Sequence, residues 1–137
     1  MSDYLLDTCA LLWLGWDDPL SEEAIRALDT AARRYRSVHV SLITAWELGH
    51  LVSKNRLRLP VSPAHWFKRC IESGGLTPAE LSVEILVDSC SLPGSLPRDP
   101  AYRMNISTAR YLDLTIITRE RLILAYSEEG HVRSLAC

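Results

Sequence analysis

The sequence predicts an α/β domain in which a short parallel sheet carries helices on both faces. Three observations predict it. Short runs of bulky or β-branched residues at 4–6, 38–40 and 115–118 alternate with stretches of helical spacing, the pattern that lays parallel strands beneath crossover helices. The 137 residues are 47% hydrophobic and 23% charged, enough apolar material for one compact domain over 1–137 and too few residues for a second. Finally, acids recur just beyond the strand runs, and open α/β sheets bind ligands outside the carboxyl ends of their strands.

Tyr4-Leu5-Leu6 reads as a buried strand and is followed at once by Asp7 and Thr8. Residues 8–15 form a short apolar helix that Trp16-Asp17-Asp18-Pro19 breaks. Ser21 caps a second helix with Glu22 and Glu23 in its first turn and Arg33, Arg34 and Arg36 at its far end, the order that suits the helix dipole. Val38-His39-Val40 is the second strand. The next helix starts at Ser41 or Thr44, with apolar Ile43, Trp46, Leu48, Leu51 and Val52, and it carries Glu47 near its start. Residues 54–60 make a basic connector, either a solvated turn or an edge that contacts phosphate. Ser62-Pro63 opens a helix that Gly74-Gly75 ends. Thr77-Pro78-Ala79-Glu80 has the spacing of a capping box, which favours a helix through Asp88 over a strand at 76–81 followed by a helix from Ser82. Residues 92–97 are a loop, Asp99-Pro100 caps a helix to about Leu112, and Thr115-Ile116-Ile117-Thr118 is a buried strand with Glu120 just past it. A helical turn around 122–126 and a weak strand near Val132 complete the chain.

The formal net charge of -2 gives no general basic footprint, so any contact with nucleic acid runs through a local patch or through metal ions that invert the local charge. Cys9, Cys70, Cys90 and Cys137 form no Cys-x-x-Cys pair and read as reduced, mostly buried thiols of a cytoplasmic protein. No apolar run is long enough to span a membrane. Phosphate-loop, dinucleotide and nucleophile-elbow motifs are absent, and the four histidines lack ligand spacing. Trp13, Trp16, Trp46 and Trp66 fall mostly on apolar helix faces, as core residues do.

Asp7, Glu47, Asp99 and Glu120 are therefore expected together on one edge of the sheet. For Asp7 alone, capping of the following helix explains the residue as well as function does. Four carboxylates together repel one another, and a cation among them relieves that. Hard oxygen donors suit Mg²⁺ or Mn²⁺, and the chemistry this favours is metal-assisted phosphodiester hydrolysis.

With these acids in place, the chain resembles the PIN domain (PilT N-terminal) family and, within it, the VapC-type toxin ribonucleases of toxin-antitoxin systems. The resemblance runs from Tyr4 to Cys137. It rests on residues 5–13 with Asp7-Thr8-Cys9, on Trp46-Glu47-Leu48, Asn55-Arg56-Leu57 and Leu92-Pro93-Gly94, and on Arg98-Asp99-Pro100-Ala101-Tyr102-Arg103 and Thr118-Arg119-Glu120-Arg121. It implies a PIN-like three-layer α/β/α sandwich around a short parallel sheet, with a strand at 76–81 and a helix from Ser82, and there the expectation follows it against the capping box. It also implies an endoribonuclease that cleaves RNA with Mg²⁺ or Mn²⁺, usually homodimeric, silenced by an antitoxin protein whose tail lies in the active-site groove. Asp7 and Glu47 match the family's first two metal-binding acids; with them, Asp99 is expected as a supporting metal ligand, Glu120 as a supporting catalytic acid or water-orienting group, and Thr8 and Thr118 as hydrogen-bonding support.

Several positions depart from the family pattern. Tyr102 stands where the pattern has its usual third acid, and a phenol of pKa about 10 adds no charge at neutral pH. Glu120 replaces an Asp, Cys9 a common His, and Asn105 is polar where an aliphatic residue is expected. Two readings follow. In one, Asp99 takes over with Glu120, Asn105 offering a further oxygen; in the other, the chain is a silent module that binds a partner peptide or RNA.

Overall fold

The structure, a computed structural model, describes residues 3–15, 20–33 and 37–137. In chain order the elements are β1 (Asp3–Leu6), α1 (Thr8–Gly15), α2 (Glu22–Arg33), β2 (Val38–Ser41), α3 (Ile43–Ser53) and α4 (Pro63–Gly74). There follow β3 (Thr77–Ala79), α5 (Val83–Asp88), α6 (Pro100–Leu112), β4 (Leu114–Thr118), α7 (Arg121–Glu128) and β5 (Arg133–Ala136). The strands lie in the order β3-β2-β1-β4-β5, and every neighbouring pair is parallel. The direction of winding reverses at β1, so residues just beyond the carboxyl ends of β1 and β4 meet over the crevice typical of doubly wound sheets. Asp7 and Glu120 are those residues.

Side chains alternate across the sheet and fill two cores. Leu6, Val40 and Ile117 pack with Leu11 of α1, Leu48 of α3 and Phe67 of α4. Leu5 and Ile116, one residue earlier on β1 and β4, pack on the other side with Ile106 of α6 and Ile123 and Tyr126 of α7. The result is the expected three-layer α/β/α sandwich. Leu5, Leu6, Ile116 and Ile117 are fully buried, which explains why these two central strands read as continuous apolar runs rather than as alternating ones.

The strand expected at 76–81 forms over 77–79 in place of the capping box, and two other expectations need correction, on the cysteines and the tryptophans. The capping box at Thr77 is not formed: residues 77–79 extend as an edge strand paired with β2, and Ser82 caps α5 by accepting the Ile85 N–H at 3.2 Å. Pro78 suits an edge, since it has no N–H to offer a further strand, and the ladder with β2 satisfies more backbone than one local capping bond would. The cysteines are free but not mostly buried: Cys9, Cys70 and Cys137 are half-buried and Cys90 is exposed. Among the tryptophans, Trp66 is in the core, whereas Trp46 is 51% exposed and stacks on His50 one turn away, with ring centroids 5.0 Å apart. The expected break at 16–19, with Trp16, and the basic end at Arg34 and Arg36 lie outside the described residues.

Candidate active site

Each acid reaches the crevice for a local reason. Asp7 ends β1 and also caps α1: its Oδ1 accepts the Ala10 N–H at 2.8 Å, so the capping role and the strand-end placement belong to one side chain. Its Oδ2 accepts from the Thr118 hydroxyl at the end of β4, and Thr118 Oγ1 in turn accepts the Glu120 N–H at 2.9 Å. Thr118 therefore ties the two strand ends together from behind. Glu47 sits on the second turn of α3, beside Thr8, whose hydroxyl donates to Thr44 Oγ1 at 3.2 Å. Asp99 caps α6, its Oδ1 accepting from the N–H groups of Ala101 and Tyr102 at 2.9 and 3.2 Å.

Asp7, Thr8, Glu47, Asp99, Tyr102, Asn105 and Glu120 all line one cavity of about 260 Å³, together with Cys9 and Arg56. Thr118 stands outside it, behind Asp7. Arg56 was not among the expected site residues, although the basic connector at 54–60 hinted at it. Its placement follows from a turn: Asn55 adopts the left-handed conformation at φ 58°, its N–H bonds Val52 O, and the Arg56 N–H bonds Leu51 O at 2.9 Å. That is a Schellman closure of α3, with Asn in place of the usual glycine, and it turns Arg56 back toward the cavity.

The electrostatics are those of crowded, half-dry acids. Burial, and then the charges of Glu120 and Glu47, push the Asp7 carboxyl up to about 6, although its bonds to Thr118 and Ala10 oppose the rise. Burial also raises Glu47, with the Thr8 hydroxyl pulling against it. The Cys9 thiol is pushed up to about 12 by burial and by the Asp7 and Glu120 carboxylates, so it stays protonated and donates to Glu120 Oε1 at 3.6 Å. The Tyr102 phenol, raised by burial and by Glu120, likewise keeps its proton and donates to Glu120 Oε2 at 2.6 Å. Two of the residues that depart from the family pattern thus bind a third: Cys9 and Tyr102 hold one oxygen each of Glu120.

The donor set is chemically suited to a hard divalent cation. Among the described residues no three of Asp, Glu, His and Cys converge closely enough to make a metal site by themselves. Mg²⁺ does not require three, since it retains several waters and binds through one or two carboxylates together with substrate phosphates. An excess of desolvated negative charge on Asp7 and Glu47, in a cavity lined with oxygen donors, fits such a shell.

The family pattern described as PIN domain matches residues 4–128. Among characterised proteins, the chain is 27% identical over 130 residues to Ribonuclease VapC22 of Mycobacterium tuberculosis (strain ATCC 25618 / H37Rv), covering 92% of this chain and 93% of that protein. Among solved structures, the fold is similar to that of VapBC2 from Rickettsia felis bound to a DNA fragment from their promoter, with a TM-score of 0.71 at 16% identity over 98% of both chains. It is also similar to FitAcB from Neisseria gonorrhoeae, with a TM-score of 0.56 at 21% identity over 96% of both chains.

Proposed function

The chain belongs to the PIN domain family, and on that premise we propose that it is a cytoplasmic endoribonuclease of the VapC toxin type, which hydrolyses RNA phosphodiester bonds with Mg²⁺ or Mn²⁺ in the acid cavity. The observation that carries this reading is Asp7, 3% exposed and aimed into a cavity with other acids, a placement that is costly for stability and useful for binding a cation. Asp7 and Glu47 would hold the ion, with Asp99 reaching it through water while it caps α6. When bound, such an ion lowers the pKa of a water and stabilises charge on the leaving oxygen.

The chain's own groups supply the rest. Thr118 keeps the Asp7 carboxylate oriented, and each Asp7 oxygen retains a lone pair for a ligand beyond its one hydrogen bond. Arg56 offers a guanidinium at the cavity for an RNA phosphate, matching its fork to phosphate oxygens. Glu120, held by Tyr102 and Cys9, orients the attacking water. Similarity to a named ribonuclease supports the substrate class, and the kinship of fold with VapB-VapC and FitA-FitB complexes supports an antitoxin as partner. An apolar hollow of about 360 Å³ lined by Leu42, Ala45, Phe67, Ile71 and Pro78 suits a second protein surface, in keeping with a homodimer. No helix among the described residues is long and apolar enough to cross a membrane.

One observation favours a second reading. Asp99 Oδ1 is engaged in capping and both Glu120 oxygens are engaged by Tyr102 and Cys9, which suits a silent module that binds a peptide or RNA. Mn²⁺ titration by calorimetry and an RNA cleavage assay, on the protein free of any partner, separate the two. The nuclease reading expects the wild type to bind Mn²⁺ and cut RNA, Asp7→Asn to lose both, and Tyr102→Asp to cut faster. Full cleavage by Asp7→Asn sinks it; absence of Mn²⁺ binding by the wild type at millimolar metal supports the silent module.

A further inference from the structure

Three buried side-chain atoms lack a hydrogen-bond partner among the described residues: Asp3 Oδ1, His39 Nδ1 and Asn105 Oδ1. Only Asn105 lines the acid cavity. It lies one turn after Tyr102 on α6, is 2% exposed, and is flanked in sequence by Ile106, which packs in the core beneath the sheet. A buried amide oxygen with no donor is rare in folded proteins, because it has lost water and gained nothing, and it calls for a ligand or a bound water. Its position supplies that ligand's chemistry. The oxygen is neutral and hard, and its residue lines the same cavity as Asp7, Glu47, Asp99 and Glu120.

We propose that Asn105 is a third protein oxygen of the cation shell, contributed through Oδ1 either directly or by accepting a hydrogen bond from one of the ion's waters. The assignment rests on the metal-dependent reading above and extends it to a residue outside the acids. It also gives α6 a division of labour. The Tyr102 hydroxyl is committed to Glu120, so it offers the cation nothing, while the next turn holds a buried oxygen with no hydrogen-bond donor, on a residue that lines the cavity. A neutral donor there adds coordination without adding a further negative charge beside Asp7, Glu47 and Glu120.

The test is Mn²⁺ affinity by calorimetry on the partner-free protein, alongside the melting temperature of the metal-free protein, for the wild type, Asn105→Ala, Asn105→Leu and Asn105→Asp. Asn105→Ala and Asn105→Leu are expected to weaken Mn²⁺ binding roughly tenfold, the scale on which removal of supporting groups acts at metal sites. Asn105→Asp is expected to bind as tightly as the wild type or more tightly, and Asn105→Leu to melt no lower than the wild type without metal, since it removes an unpaired polar group. Wild-type affinity in Asn105→Ala overturns the assignment while leaving the nuclease reading intact. Equal weakening in all three variants, or a collapse of metal-free stability in each, marks a packing role and overturns it as well. A wild type that binds no Mn²⁺ overturns both the assignment and the reading beneath it.

Discussion

Asp7 carries a stability cost that its chemistry explains. Its folded carboxyl is pushed up to about 6 from an ordinary 3.8, mainly by burial. Between those values the folded chain holds a proton that the unfolded chain has released, so stability falls as pH rises through this window. Above it, the ionised group costs the metal-free fold about 3 kcal/mol at most. Asp7→Asn keeps the shape and removes the charge. Without metal it should melt higher than the wild type near pH ~7.5, with the difference shrinking toward pH ~4, where both side chains are neutral. A difference that does not change with pH would contradict this account. Asp7 shows how far a single residue was legible: its place at a strand end could be read from Tyr4-Leu5-Leu6-Asp7, but its raised pKa could not, because that depends on burial in the folded chain and then on Thr118 and Glu120, more than a hundred positions away.

At the scale of elements, α6 joins an observed helix cap to the proposed support of a cation. Asp99 and Pro100 form a helix start that the sequence announces, Asp as cap and Pro at the first position. The loop before it is tied down by Arg103, whose guanidinium donates to the carbonyls of Ser89, Leu96 and Pro97, so that Asp99 enters the cavity at a fixed angle. Capping and cation support can be separated by substitution. Asp99→Ala should cost about 1 kcal/mol of stability, and Asp99→Ser, which still accepts from the helix N–H groups, only a few tenths. If Asp99 supports the ion, both variants should weaken Mn²⁺ binding alike; undiminished binding in Asp99→Ser would confine Asp99 to its cap. The closure of α3 was less legible. Glycine marks such an end openly, as Gly75 does for α4 at φ 61°, whereas Asn55 adopts the same conformation under a weaker signal and so left Arg56 unassigned.

For the whole molecule, site and stability are linked by mass action. A cation that binds only the folded chain stabilises it by about 2.7 kcal/mol at a hundred times its dissociation constant. The wild type should therefore gain melting temperature with added Mn²⁺, while Asp7→Asn starts higher and stays level; a matching rise in both would place the ion elsewhere. The sequence by itself determined the α/β class, the central strands and the gathering of the acids, because those follow from local pattern: apolar runs mark strands buried on both faces, helical spacing marks their covers, and parallel winding sends every strand's carboxyl end to one edge. The choice of strand over capping box at 77–79 was tertiary, since the β2 edge supplied more hydrogen bonds than the local motif. So was the wiring of the site. Tyr102 reaches Glu120 across 18 positions and Cys9 reaches it across 111, and the Asn105 oxygen is unpaired where α6 is buried in the fold. Which side chains meet across such distances is decided by packing, and packing is a property of the folded chain.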